Sequence, residues 1–274
     1  MRPLLPLLGL ALLPIGCTVD NNFHKQPEVV GGDTGEMPVA VCSVDPNPVT
    51  PPFQEVTWDG SASFSPSGEA IAKYDWQLVE RPVGSVAEMP SGRAIRSGFI
   101  PDMAGDYVAE LVVTTDAGEV SEPCVVVLES IPAENLWVEM FWDTPNDDMD
   151  LHLLRPGGAL ETNNDCYFMN CVPPSVPDWG RRNDSSDDPA LDLDDIEGVG
   201  PENINIQSPE AGTFTVVVHD YTGSTPDFRG ANNVTVNVYL NGAMVWTDTR
   251  SISGEGSYTH FAEIDWTRGV VNGL

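Results

Sequence analysis

Residues 233–248 read NVTVNVYLNGAMVWTD. Val234, Val236 and Val238 alternate with Thr235 and Asn237, which puts the valines on one face of an extended strand and the polar side chains on the other. Asn241-Gly242 then breaks the pattern, and this dipeptide suits a type I′ turn, whose two central residues both need positive φ. Met244-Val245-Trp246 resumes the strand. The stretch therefore predicts an antiparallel hairpin with one apolar face. Such a face is stable only against a second layer, so the fold class is all-β and the architecture a sandwich.

Outward from the hairpin the same alternation recurs at 136–142, 149–154, 213–219 and 258–266, and no stretch has helical periodicity. These strands define one module over residues 134–268. A second set lies upstream at 39–42, 55–58, 71–79, 107–114 and 124–128, broken by turn residues. It defines a first β-sandwich module over residues 38–131. There Trp76 alternates with Tyr74 and Leu78, as a core tryptophan would. Asp102 to Tyr107, ahead of Leu111-Val112-Val113, has the pattern of a tyrosine corner.

The later module carries a long insertion, residues 157–207, dense in Asp184, Asp187, Asp188, Asp192, Asp194 and Asp195. Insertions of this length are functional or disordered. Cys166 to Cys171, Trp179 and a turn at Pro201-Glu202-Asn203-Ile204 argue for order. Just before it, Asp148-Met149-Asp150-Leu151-His152-Leu153 places Asp148, Asp150 and His152 on one strand face, with Met149, Leu151 and Leu153 toward the core. Asp192 and Asp194 are spaced to share a face in the same way.

Carboxylates packed together repel unless a cation neutralises them or water screens them. Calcium suits such a group, because it takes six to eight hard oxygen ligands in flexible geometry. The candidate ligands are Asp148, Asp150, Asp192, Asp194 and Asp195. Zinc would favour His and Cys. The segment is not an EF-hand: Asp192 to Gly198 lacks an oxygen ligand at its fifth position and its glycine comes one residue late. A solvated acidic loop is the alternative. Tyr167 and Trp179 are the candidate ligand-binding aromatics; exposed rings would stack on sugars, whereas buried ones would favour a structural role.

At the front of the chain, Arg2 precedes a run of Leu, Ala, Pro and Ile that ends in Leu13-Pro14-Ile15-Gly16-Cys17. This is the layout of an export signal. The run is too short and proline-rich to span a bilayer, which takes about 20 apolar residues. It resembles a bacterial lipoprotein signal, with Gly16 before the cleavage point and Cys17 as the lipidated residue, although Pro14 stands where that family usually has Leu. Thr18, in place of Asp, implies by the same resemblance the outer membrane or cell surface. Plain cleavage by an ordinary signal peptidase is the alternative. Residues 1–16 are then the signal and 17–37 a flexible tether.

A net charge of −30, from 42 acidic against 12 basic residues, excludes a nucleic-acid partner and anionic head groups. With Cys17 lipidated, four cysteines remain, and an oxidising compartment lets them pair. Three connectivities are possible; Cys42 with Cys124 and Cys166 with Cys171 is the economical one. The chain has no Cys-x-x-Cys pair to support a zinc site instead.

Trp58 to Ser63, Tyr74-Asp75-Trp76, Ala104 to Tyr107 and Asp116-Ala117-Gly118 resemble the PKD (polycystic kidney disease) domain family. Ser65-Pro66-Ser67-Gly68 departs from the acidic turn common there. The resemblance implies a spacer or adhesive unit without chemistry. Trp142 to Pro145, Asp148 to His152, Gly200 to Ile204 and Gly212 to His219 resemble the YfaP-like domain of unknown function, which implies an extracellular β-sandwich.

No nucleophile elbow, His-Glu-x-x-His signature or phosphate loop occurs, so the expectation is a protein that is not an enzyme. The expected function is a lipid-anchored envelope protein whose calcium-stabilised second module binds an extracellular polysaccharide or surface protein. The alternatives are a purely structural envelope component and a metal-dependent hydrolase.

Overall fold

The computed structural model describes residues 36–89, 91–222 and 228–274. The export signal, Cys17 and the tether up to Gly35 lie outside the described residues. Among the described residues every regular element is a strand.

The first module comprises β1 (Ser43–Asp45), β2 (Val56–Asp59), β3 (Ile71–Glu80), β4 (Arg96–Phe99), β5 (Gly105–Thr115) and β6 (Cys124–Ser130). They form two antiparallel sheets, β1-β2-β4 and β3-β5-β6. Trp58, Trp76, Phe99, Tyr107, Leu111 and Leu128 fill the space between them. The segment expected as a strand at 39–42 makes only isolated bridges at Val39, to Glu122 and Phe64, because it touches two different neighbours for one rung each. The Cys42–Cys124 disulfide ties it to β6, with a Cα–Cα distance of 5.9 Å. It closes a loop of 82 residues, worth about 4 kcal/mol by the chain-entropy argument. The tyrosine corner forms as expected: the Met103 amide donates to the Tyr107 hydroxyl oxygen at 3.0 Å, and that hydroxyl donates to Asp102 Oδ1 at 2.8 Å.

The second module comprises β7 (Leu136–Trp142), β8 (Met149–Leu154), β9 (Asp165–Cys166), β10 (Ala190–Leu193), β11 (Glu202–Ile206), β12 (Thr213–Asp220), β13 (Asn232–Leu240), β14 (Ala243–Ile252), β15 (Tyr258–Asp265) and β16 (Val270–Gly273). Two five-stranded antiparallel sheets stack, β10-β11-β7-β13-β14 on β16-β15-β12-β8-β9. Val138, Met140, Ile204 and Val236 from one sheet meet Leu151, Leu153, Phe214 and Val216 from the other. The hairpin turn is the expected one, with φ of 53° at Asn241 and 79° at Gly242. Strand β16 carries the sheet beyond Arg268. Pro201 to Ile204, expected as a turn, instead opens β11, with Glu202 opposite Met140 and Ile204 opposite Val138. Ile204 and Ile206 alternate into the core, and that burial outweighs the local turn preference of Pro and Asn.

Strand β7 is buried along its whole length. Its even-numbered residues face the core, while Trp137 and Glu139 face the first module. Trp137 and Tyr239 pack on Ala104 beside the tyrosine corner. Glu139 Oε1 accepts the Ala104 amide at 2.7 Å. Burial pushes the Glu139 carboxyl up to about 7 from its ordinary 4.5. Below about pH 4.5 the group is neutral folded and unfolded alike; as pH rises toward 7 only the unfolded chain releases the proton, so stability falls by about 3 kcal/mol. Glu139→Gln keeps the acceptor and removes the charge. It should therefore flatten this fall between about pH 5 and 8, read as urea midpoints. A wild-type slope retained in the variant would place the titration elsewhere.

Candidate metal centre

Alternation on β8 delivers what the sequence implies: Met149, Leu151 and Leu153 join the core, and Asp148, Asp150 and His152 share the opposite face. That face is not open to water. Asp148, Asp150 and His152 are 6%, 4% and 1% exposed, because the insertion folds over them. Strand β9 pairs only with Leu153 and Leu154, which leaves the Leu151 amide without a strand partner. Glu202 Oε2 takes it at 2.7 Å from the opposing sheet, and Glu202 is wholly buried.

Asp150, Asp194 and Glu202 bring one carboxylate oxygen each to within 4.8 Å of one another. The electrostatic cost is visible in Glu202 and Asp194. Burial first, and then Asp150 and Asp194, raise Glu202 well above the usual carboxylate range. Burial and then Asp150 raise Asp194. Asp148 is pushed up to about 7 by burial, with Asp150, Asp194, Asp147 and Asp195 adding to it. Asp220, at the end of β12, is pushed up to about 6 by burial and then Asp147 and Glu255.

Two histidines border the carboxylates. His219 lies directly across from Asp150 on β12, with its Nδ1 3.3 Å from Asp150 Oδ2. His152 Nδ1 lies 2.8 Å from Oδ2 of the buried Asp165. The His152 ring stacks on Tyr167 at 4.9 Å and the His219 ring on Tyr258 at 4.1 Å. Phe168 and Tyr221 extend this cluster, each partly exposed. The Cys166–Cys171 disulfide pins the short loop that carries Tyr167 and Phe168.

Not every residue singled out from sequence belongs here. Asp192 sits at a bulge between Leu191 and Leu193, where the register shifts and breaks its expected alignment with Asp194. Its Oδ2 instead accepts from Asn205 Nδ2 at 2.8 Å, away from Asp150. Asp195 adjoins the group but spends both oxygens on the loop, accepting the Gly198 and Gly200 amides at 2.9 and 2.7 Å. Trp179 does not offer a ring to a ligand: it is 1% exposed, packs in the core and donates its indole N–H to the Asn163 carbonyl. Tyr167 is half-buried against His152.

Glu202, His219 and Asp165 are the members that the sequence reading missed as site residues. The signal for His219 was present, since it follows Val216 and Val218 in strict alternation. Nothing local marks Glu202, whose place depends on which strand lies across from it.

No family model matches the sequence, and no curated protein matches it. Among solved structures, the chain is similar to the PKD domain from KIAA 1837 protein at 22% identity, over 34% of this chain and 86% of that one, with a TM-score of 0.27. It is similar to the endo-fucoidan hydrolase MfFcnA4 from glycoside hydrolase family 107 at 17% identity and a TM-score of 0.26, covering 80% of this chain but 29% of that one. Fibronectin(III)-like modules of Clostridium thermocellum CbhA match at 12% identity over 78% of this chain and 94% of theirs, with a TM-score of 0.21. The β-sandwich fold rests on the strand order and register above, and these likenesses carry no argument about chemistry.

With divalent ions chelated, the raised carboxyls have a defined consequence. Asp148 unfolded titrates near 3.8 and folded near 7, so the metal-free protein should lose stability as pH rises through that window. Asp148→Asn should reduce the loss and raise the chelated protein's urea midpoint at neutral pH. An unchanged midpoint would mean that water already screens the charge.

Proposed function

We propose that the chain is a non-catalytic, lipid-anchored envelope protein whose second module binds calcium and presents an aromatic surface to an extracellular polysaccharide. The convergence of Asp150, Asp194 and Glu202, with Glu202 removed from water, carries this reading. Such a set is costly alone and becomes favourable around a cation. All its donors are hard oxygens and Asp148 adjoins them, a set that calcium takes readily because it accepts six to eight oxygen ligands in flexible geometry.

The arrangement of the modules supports presentation. The first module packs on the outer face of the β7 sheet through Trp137 and Glu139, whereas the carboxylates and rings lie along the outer face and edge of the β8 sheet. Docking and ligand surfaces are therefore on opposite sides of the sandwich. Tyr167, Phe168, Tyr221 and Tyr258 are partly exposed beside the acidic group, and aromatic rings of this kind pack on the apolar faces of sugars. For the anchor, the support is the Gly16-Cys17 junction behind its short apolar run. A structural envelope component is the second reading, favoured by the burial of Trp179 in the core.

Extracellular calcium sites bind at about 10⁻⁴ to 10⁻³ M, so millimolar calcium should stabilise the protein by about 0.4 to 1.4 kcal/mol. We expect calcium to raise the melting temperature more than magnesium does, and the rise to vanish in Asp150→Asn/Glu202→Gln. Retardation of the chain in polysaccharide gels should likewise depend on calcium. Equal effects of the two ions, undiminished in the double variant, would leave only the structural reading.

Anchoring is tested separately. Wild-type protein should partition with membranes and Cys17→Ser should not, because paired acyl chains are needed for stable attachment. A wild-type N-terminus at Thr18 or beyond, found unlipidated by mass spectrometry, would end this part of the proposal.

A further inference from the structure

Among the buried atoms beside the carboxylate group that have no hydrogen-bond partner among the described residues are Asp150 Oδ2, His152 Nε2 and His219 Nδ1, with Asp148 Oδ1 and Asp165 Oδ1 close by. Each is an atom that ligates metals, and one ligand atom from each of Asp150, His152 and His219 lies within 4.8 Å of the other two. We propose that Asp150, His152 and His219 hold a divalent first-row transition metal, zinc being the ion that fits best. The inference does not rest on the calcium reading, although the two sites would share Asp150.

His152 argues most strongly. It is 1% exposed, and its Nδ1 faces the wholly buried carboxylate of Asp165 at 2.8 Å. A carboxylate that accepts from Nδ1 places a proton there, and in the neutral ring the lone pair is then on Nε2. An imidazole lone pair buried without a donor is a loss unless something electrophilic meets it. A carboxylate behind one ring nitrogen with a metal at the other is also the usual outer-shell arrangement of metal-bound histidine. Asp165 is itself held by the Glu161 amide at 2.8 Å, so the ring is fixed from behind. Stacking on Tyr167 fixes it in plane.

His219 supplies the second nitrogen. Its Nδ1 is 3.3 Å from Asp150 Oδ2, yet the pair is misaligned for a hydrogen bond. That separation matches the edge of a tetrahedron with metal bonds of about 2.0–2.1 Å, which is about 3.3–3.4 Å. Tyr258 stacks on this ring as Tyr167 does on the other. Two imidazoles and one carboxylate suit zinc and its neighbours and are too soft a set for calcium. Three protein ligands leave a fourth position for water or an oxygen of the bound partner.

The test uses the full mature chain, freed of metal by chelation and titrated with cobalt(II) as a visible probe of the zinc site. One equivalent should bind with ligand-field bands of mixed nitrogen and oxygen coordination, and zinc should displace it. His152→Gln and His219→Gln should each abolish the bands while calcium still raises the melting temperature, which separates this site from the carboxylate one. Asp165→Asn should weaken binding about 10- to 100-fold without removing a ligand. Should a variant fail to fold, imidazole nitrogen resonances of the wild type decide: zinc should shift those of His152 and His219 and leave His260 unmoved. Absent cobalt binding, bands that persist in both histidine variants, or unshifted His152 and His219 resonances would overturn the proposal.

Discussion

Polar groups cannot be withdrawn from water in numbers unless each meets a partner, and strand β8 is buried on both of its faces. Its apolar side faces the core, so the other side must be reconciled by whatever folds over it. Protein groups do part of this: Asp165 takes His152, and Glu202 takes the amide that short β9 leaves open. Where the protein's own partners end, oxygens and nitrogens still converge on Asp150. Cations are the partners of matching chemistry, which is why one side chain stands at the centre of both the functional proposal and the further inference.

Strand β7 meets the same condition differently. Its outward residues are covered by the first module, and one oxygen of Glu139 meets the Ala104 amide. On the proposed reading, a second module docked by one sheet and loaded through the other would be a display arrangement. The first module's own chemistry is spent internally, on the tyrosine corner and the long-range disulfide.

How much of this was legible beforehand depended on how local each determinant was. Alternation gave both sandwiches, and Asn241-Gly242 gave its turn, because those signals lie within a few residues of their effect. Asp148, Asp150 and His152 shared a face for the same reason. Asp192 failed because one bulge residue changes the parity of everything around it, and bulges leave no reliable mark in a single sequence. Trp179 marked the insertion as ordered, but spacing alone could not tell an exposed ring from a buried one, and its indole is drawn into the core. Glu202 was read as part of a turn on Pro201 and Asn203, although its place is set by Met140 across the sheet and Leu151 beyond it. Long-range contacts of this sort decide sites and are invisible to a reading by spacing.

The central claim is that cations complete the buried face of β8, and diffraction with anomalous scattering from crystals grown in calcium and zinc tests it most directly. The account predicts a calcium peak about 2.3–2.6 Å from oxygens of Asp150, Asp194 and Glu202. It predicts a zinc peak about 2.0–2.1 Å from the ring nitrogens of His152 and His219. Absence of both peaks, with Glu202 and Asp150 instead sharing a proton across a short oxygen–oxygen contact, would contradict it.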